Sequence, residues 1–187
     1  MWDLGKIKKG KMFHMEEKDI FVNMNKYISY NEYKKYCEEN NVFFNKELLE
    51  EKNNQFIEEK LKEYKDYFDH IFTDVGENIN LDEEQREIIL RDDDYCLVNA
   101  GAGSGKSTTM AAKVKYLVDK LNIKPEEIIM LTFTKKSSED LDEKVNELLN
   151  LGIPVSTFHS LGMKFIRKFY PYPIQVVGQD EQEKIIC

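Results

Sequence analysis

Hydrophobic positions recur along this chain in two different rhythms. In the first part, Ile57, Leu61, Tyr64, Phe68 and Ile71 follow one another at intervals of four, three, four and three. That spacing is one stripe of a helix of roughly 25 residues, about 37 Å long, and its plain use is packing against a neighbouring domain. Asn45 stands where such a helix needs an N-cap. Further upstream, Ser29-Tyr30-Asn31-Glu32 is a capping-box pattern ahead of YKKYCEEN and predicts a shorter helix.

The second rhythm begins after residue 80. Tyr95-Cys96-Leu97-Val98 is a short apolar run that reads as a strand. A helix is predicted from about Lys106, with Met110, Val114, Leu117 and Leu121 on one face. Ile128-Ile129-Met130-Leu131-Thr132-Phe133 is a continuous apolar run, as in a strand buried on both faces. Leu141, Val145 and Leu148 mark the next helix, closed by Gly152, and Val155-Ser156-Thr157 is a third short strand. A last helix runs to about Phe169, before Pro171 and Pro173. Strands separated by helices predict βαβ units and a parallel sheet, an α/β fold. The expected organisation is a mainly helical N-terminal extension over 1–80 and an α/β domain over 81–187.

Composition narrows the classes. The 187 residues are 41% hydrophobic and 33% charged, which suits one globular domain and an appendage, cytoplasmic rather than membrane-bound. No apolar run approaches the roughly 18 residues of a transmembrane helix, and MWDLGKIKKGK is not followed by the apolar core of a signal peptide. Cys37, Cys96 and Cys187 lie far apart, without zinc spacing, and predict reduced thiols. The formal net charge of -8 argues against a simple nucleic-acid binder, so any such function must rest on local features. Lys6, Lys8, Lys9 and Lys11 read first as a solvated arm.

One local feature is strong. Val98 to Thr108 reads VNAGAGSGKST, between an expected strand and an expected helix. It fits the phosphate-loop pattern G-x-x-x-x-G-K-[ST], with Ala100 at the first position. Gly101, Gly103 and Gly105 allow the backbone to turn and approach a ligand. The amides from Ala102 through Ser104 to Ser107 then face inward at a helix N-terminus, which favours anions. Lys106 reaches the outer phosphates and the Ser107 hydroxyl ligates Mg²⁺, so a nucleotide with Mg²⁺ is the expected ligand; Thr108 completes the loop. A glycine-rich turn that only joins two elements does not account for Lys106-Ser107 after Gly105.

Three more stretches select among nucleotide machines: LDEEQRE (Leu81 to Glu87), LTFTKKSSEDLDEKV (Leu131 to Val145) and VSTFHSLG (Val155 to Gly162). Gln85 carries an amide able to read an adenine edge as donor and acceptor. Together with AGAGSGKST, these stretches resemble superfamily 1 helicases of the UvrD/Rep type, in order and spacing, over about residues 55 to 170. FIEEKLKEYKDYFDHI before them looks like the helicase IV branch. The resemblance implies a RecA-like motor domain, ATP hydrolysis coupled to 3′-to-5′ movement on single-stranded DNA, and an adenine-reading role for Gln85. It also places Phe133, Thr157, Phe158 and His159 along the DNA track. An aromatic at a strand end can stack on a base, and Thr or His can hold phosphates. Lys135 and Lys136 add local positive charge there. For Phe133 and Phe158 the alternative is a place in the core, and for His159 a satisfied, partly buried ring.

The sequence departs from its relatives in two places and stops short in a third. Thr108 stands where many of them have Arg, which removes one expected contact near adenine. Lys135-Lys136-Ser137-Ser138 replaces a common N-K-A-A. No Asp-Glu pair follows a later apolar strand, since Asp180-Glu181 lacks one, and no second motor domain follows. The expectation is an ATP-binding domain truncated before the Asp-Glu motif, able to bind ATP but not to hydrolyse it alone. A non-catalytic nucleotide-binding module acting through a partner stands as the alternative; a small P-loop kinase fits TFHSLG and Gln85 less well.

Overall fold

The computed structural model describes residue 21, residues 26–170 and residue 172. The chain falls into two units, Met1–Ser104 and Gly105–Cys187, each with buried side chains of its own. Lys6, Lys8, Lys9, Lys11, Pro171, Pro173, Asp180, Glu181 and Cys187 lie outside the described residues.

The first unit is helical. Ser29 Oγ accepts from Glu32 N and starts α1 (Tyr30–Asn40). Only that half of the expected capping box is seen, because Glu32 Oε1 takes Lys26 Nζ at 2.7 Å. Asn45 Oδ1 accepts from Leu48 N at 3.1 Å and starts α2 (Lys46–Glu63), as its sequence predicts. The expected single long helix is broken at Tyr64, where the backbone (φ -99°, ψ 16°) leaves the helical region before α3 (Lys65–His70). Its stripe survives the break, with Ile57, Phe68 and Ile71 buried. Periodicity reports which face is buried, not whether every intervening peptide is helical. Ile28, Tyr33, Cys37 and Leu49 form one core cluster, with Phe44 edging onto Tyr33 at 5.0 Å between ring centroids. Cys37 is buried and Cys96 exposed. After a 3₁₀ turn at Thr73–Val75, α4 (Glu83–Leu90) packs against α2 through a face that buries Ile89 and Leu90.

The expected strand at Tyr95-Cys96-Leu97-Val98 is not formed. The stretch is irregular, with Tyr95 and Leu97 91% and 95% exposed. Apolar β-branched and aromatic residues fit a pleated surface, but a strand also needs a neighbour for its backbone hydrogen bonds. Among the described residues no ladder reaches this segment.

The second unit is α/β. α5 (Lys106–Asp119) buries Ala111, Ala112, Val114 and Tyr116. Met110, expected on that face, is exposed, because the small alanines and not Met110 sit against the interior. The long apolar run shortens to β1 (Met130–Thr132): Met130 is buried while Ile129 and Phe133 are exposed, so it is not a strand covered on both sides. α6 (Lys135–Asp142) continues into a π-helical turn, Glu143–Leu148, in which Leu149 N donates to Lys144 O. Leu141 and Val145 are buried as expected, and Leu149 rather than Leu148 is the third buried leucine-type position. A residue with wider helical spacing shifts the stripe by one. Asn150 and Gly152 both take positive φ after it. β2 (Val155–Thr157) lies parallel to β1, and α7 (Phe158–Phe169) ends where the sequence predicts. The observed sheet has two strands, an α/β arrangement smaller than the three-strand expectation. No described helix is long and apolar enough to cross a membrane.

Candidate functional site

The glycine-rich loop ahead of α5 owes its shape to two glycines. Gly103 (φ 77°) and Gly105 (φ 76°) occupy the left-handed region that side chains avoid. Nothing lies within 4 Å of a Cβ placed at Gly103, so conformation rather than crowding requires glycine there. Ser104 N donates back to Gly101 O at 3.4 Å and tightens the turn.

Gly105 is the N-cap of α5, and Thr109 donates to its carbonyl through both N (2.8 Å) and Oγ1 (3.1 Å). No side chain caps this helix end and its first turn holds no acidic residue. The first turn is instead Lys106-Ser107-Thr108. A helix start with partial positive charge, no acidic residue in its first turn and a lysine in the first position fits a polyphosphate, and the Ser107 hydroxyl could serve a cation bound with it.

Gln85 does more than sequence reasoning gave it. Asp82 caps α4 by accepting from Gln85 N at 2.8 Å, and Gln85 Oε1 accepts from Asp82 N at 3.0 Å. The same amide donates through Nε2 to Ser104 O, inside the glycine-rich loop, at 3.3 Å. One N–H and one oxygen lone pair of the amide are left over by this pattern, enough to pair with one base edge. The D-x-x-Q spacing was the available signal for the capping box; the bond to Ser104 has none in the sequence.

The second cluster lies at one edge of the small sheet. Parallel register pairs Thr132 with Thr157, so β1 and β2 end at the same level. Phe133 and Phe158 follow at matching positions, 83% and 60% exposed. The core alternative for these two rings is not how the structure places them. Thr134 Oγ1 accepts from Ser137 N to cap α6, and Thr157 Oγ1 accepts from Ser160 N to cap α7. Lys135 pairs with Glu139 at 3.6 Å on the surface, and His159 is exposed rather than a satisfied core histidine. Two exposed rings, a lysine pair and two helix starts therefore share the C-terminal edge of a parallel sheet, the side on which open α/β sheets bind ligands. Among the described residues no group of His, Cys, Asp or Glu is arranged to hold a metal by itself.

Comparison with known proteins agrees with both clusters lying in one domain family. The family described as UvrD/REP helicase N-terminal domain matches residues 81–175, just over half of the chain. DNA helicase IV of Escherichia coli (strain K12) is 32% identical over 117 residues, which is 62% of this chain and 16% of that protein. ATP-dependent DNA helicase Rep of Buchnera aphidicola subsp. Schizaphis graminum is 42% identical over 77 residues, 39% of this chain and 12% of the relative. ATP-dependent DNA helicase PcrA of Staphylococcus epidermidis is 33% identical over 92 residues, 48% of this chain and 13% of the relative. The chain thus spans less than a fifth of the length of each. By the family that covers its glycine-rich loop and both strands, the chain belongs to the UvrD/Rep helicases, in their N-terminal domain.

Proposed function

We propose that this chain is the ATP-binding part of an ATP-dependent DNA helicase, built on a RecA-like motor domain that moves along single-stranded DNA. The observation that carries the reading is the start of α5, which follows Gly103 and Gly105 at positive φ and presents Lys106-Ser107 with no side-chain cap. In this reading Lys106 holds the β- and γ-phosphates, Ser107 holds Mg²⁺, the loop from Ala100 to Thr108 wraps the phosphates, and Gln85 reads adenine. ATP supplies the free energy of translocation. Single-stranded DNA lies against Phe133, Lys135, Thr157, Phe158 and His159, the rings stacking on bases and the polar groups holding phosphates.

Titration calorimetry with a non-hydrolysable ATP analogue and Mg²⁺ tests the assignment. Lys106→Ala is expected to weaken binding by at least about tenfold, or roughly 1.4 kcal/mol, through loss of a charge-assisted phosphate contact. Equal affinity in two folded proteins would remove the loop from the account. Alone, the chain is proposed to bind ATP without turning it over, because Lys106 and Ser107 place phosphate and metal but do not orient the attacking water. A phosphate-release assay with single-stranded DNA reads this; turnover on the order of 1 s⁻¹, lost in Lys106→Ala, would contradict it.

A further inference from the structure

Arg86 is the residue after Gln85 and lies outside the glycine-rich loop. Its side chain is largely covered, 16% exposed, and it bridges two elements. Nε donates to Leu81 O at 2.9 Å, the carbonyl just ahead of the Asp82 cap. Nη2 donates to Asp69 Oδ1 at 2.7 Å, on α3. The guanidinium also lies over the ring of Phe68, 5.9 Å from its centroid, and Phe68 is fully buried. Asp69 in turn holds Lys65 Nζ at 2.6 Å through its other oxygen.

These contacts fix the first turn of α4 on three sides. Leu81 O is held from within the turn, Asp69 ties it to α3, and the guanidinium lies over the ring of Phe68. Gln85 sits in the middle of that turn, already bonded to Asp82 N and Ser104 O. A residue that reads a base edge must be held within about 0.5 Å and 10–20° of its working geometry by its supporting contacts. The Arg fork is suited to this because it is planar and its donors are rigidly spaced.

We propose that Arg86 and Asp69 are positioning residues for nucleobase recognition: through them the helices ahead of residue 80 aim the Gln85 amide at adenine and so set the preference for ATP over GTP. The inference rests on the proposed ATP reading. It assigns α3 a part in nucleotide selectivity rather than in packing alone. The pair is assigned to the base and not to the phosphates, because both residues lie outside the glycine-rich loop.

The test uses the full chain with Mg²⁺ and three probes: non-hydrolysable analogues of ATP and of GTP, and inorganic tripolyphosphate, which has no base. Arg86→Met keeps apolar cover on Phe68 and removes both hydrogen bonds. Asp69→Asn keeps the shape and removes the charge. In both, the ATP-to-GTP affinity ratio is expected to fall about three- to tenfold, in the lower part of the range of coupling between neighbouring residues. Tripolyphosphate affinity should stay within about twofold, and Arg86→Lys, which keeps a cation facing Asp69, should recover part of the ratio. An unchanged ratio in both variants overturns the inference while leaving ATP binding in place. So does a parallel fall for all three probes, which would make the pair a structural prop. If the unaltered protein binds tripolyphosphate but does not prefer ATP to GTP, adenine reading by Gln85 fails and the inference falls with it. If it binds none of the three, the phosphate-loop assignment itself fails.

Discussion

Asn146 holds together the turn that delivers β2 and the residues after it. Its Nδ2 donates to Ile153 O and to Asp142 Oδ1, each at 2.8 Å, and its Oδ1 accepts from Ile153 N at 2.8 Å. Ile153 is 1% exposed, so the side chain stands in for the β partner that this stretch of backbone lacks. Asn146→Ala leaves a buried N–H and a buried C=O unpaired. At about 1–3 kcal/mol per buried unsatisfied group, reduced where water follows into the gap left by a half-buried side chain, the expected loss is about 2–4 kcal/mol. That is a large share of the roughly 5–15 kcal/mol that holds a typical domain folded. Asn146→Asp separates the two bonds: it still accepts from Ile153 N but cannot donate to Ile153 O, and it sets a second carboxylate against Asp142. It should be no more stable than the alanine variant at neutral pH, and should recover stability relative to it as the solution is acidified. Urea unfolding followed by circular dichroism gives the energies, and amide exchange at Ile153 gives the local effect. A loss below about 0.5 kcal/mol for Asn146→Ala, the scale of ordinary surface substitutions, would show that Asn146 does not hold the turn, as would unchanged exchange at Ile153.

Two further outcomes are expected. Burial, then the hydrogen bond to Asp93 at 3.0 Å, pushes the Tyr27 hydroxyl from 10.0 up to about 12. The folded state therefore keeps this proton when the unfolded chain has lost it, so stability present below pH 10 falls as the pH rises from 10 to about 12. Tyr27→Phe should flatten that stretch of the stability profile, and a slope that persists in the variant would assign it elsewhere. Single-stranded DNA should bind weakly and less well as salt rises, given a net charge of -8, and Phe133→Ala should weaken binding by about 1–3 kcal/mol through lost stacking. Fluorescence anisotropy at two salt concentrations measures both; salt-independent binding, or no loss in Phe133→Ala, counts against stacking at that ring.

Local chemistry was legible where neighbours in sequence decide it. Ser29 and Asn45 cap the expected helices because a side-chain oxygen lies within reach of an amide three residues on. The helix after Thr157 ends near Phe169 as read. What depends on distant partners was not legible. Tyr95 to Val98 has strand composition but no described neighbour to pair with. Met110 loses its place on α5 to Ala111 and Ala112, a matter of which face meets the interior. The break at Tyr64 leaves the apolar stripe intact and so leaves no mark on it. In the candidate site the glycine, lysine and serine positions follow from their own motif. The links from Gln85 to Ser104 and from Arg86 to Asp69 cross 19 and 17 residues, and no short pattern announces them.

In the proposed reading, nucleotide is held at the loop from Ala100 to Thr108. Hydrogen-exchange mass spectrometry, with and without a non-hydrolysable Mg²⁺-ATP analogue, locates it most directly. The expected result is slower exchange in peptides spanning the loop and the first turn of α5, where amides would bond to phosphate, with a smaller effect around Gln85. The Lys106→Ala protein should lose that protection at the same ligand concentration. Protection that falls elsewhere in the chain and spares the loop, while binding is independently shown to occur, would contradict the account.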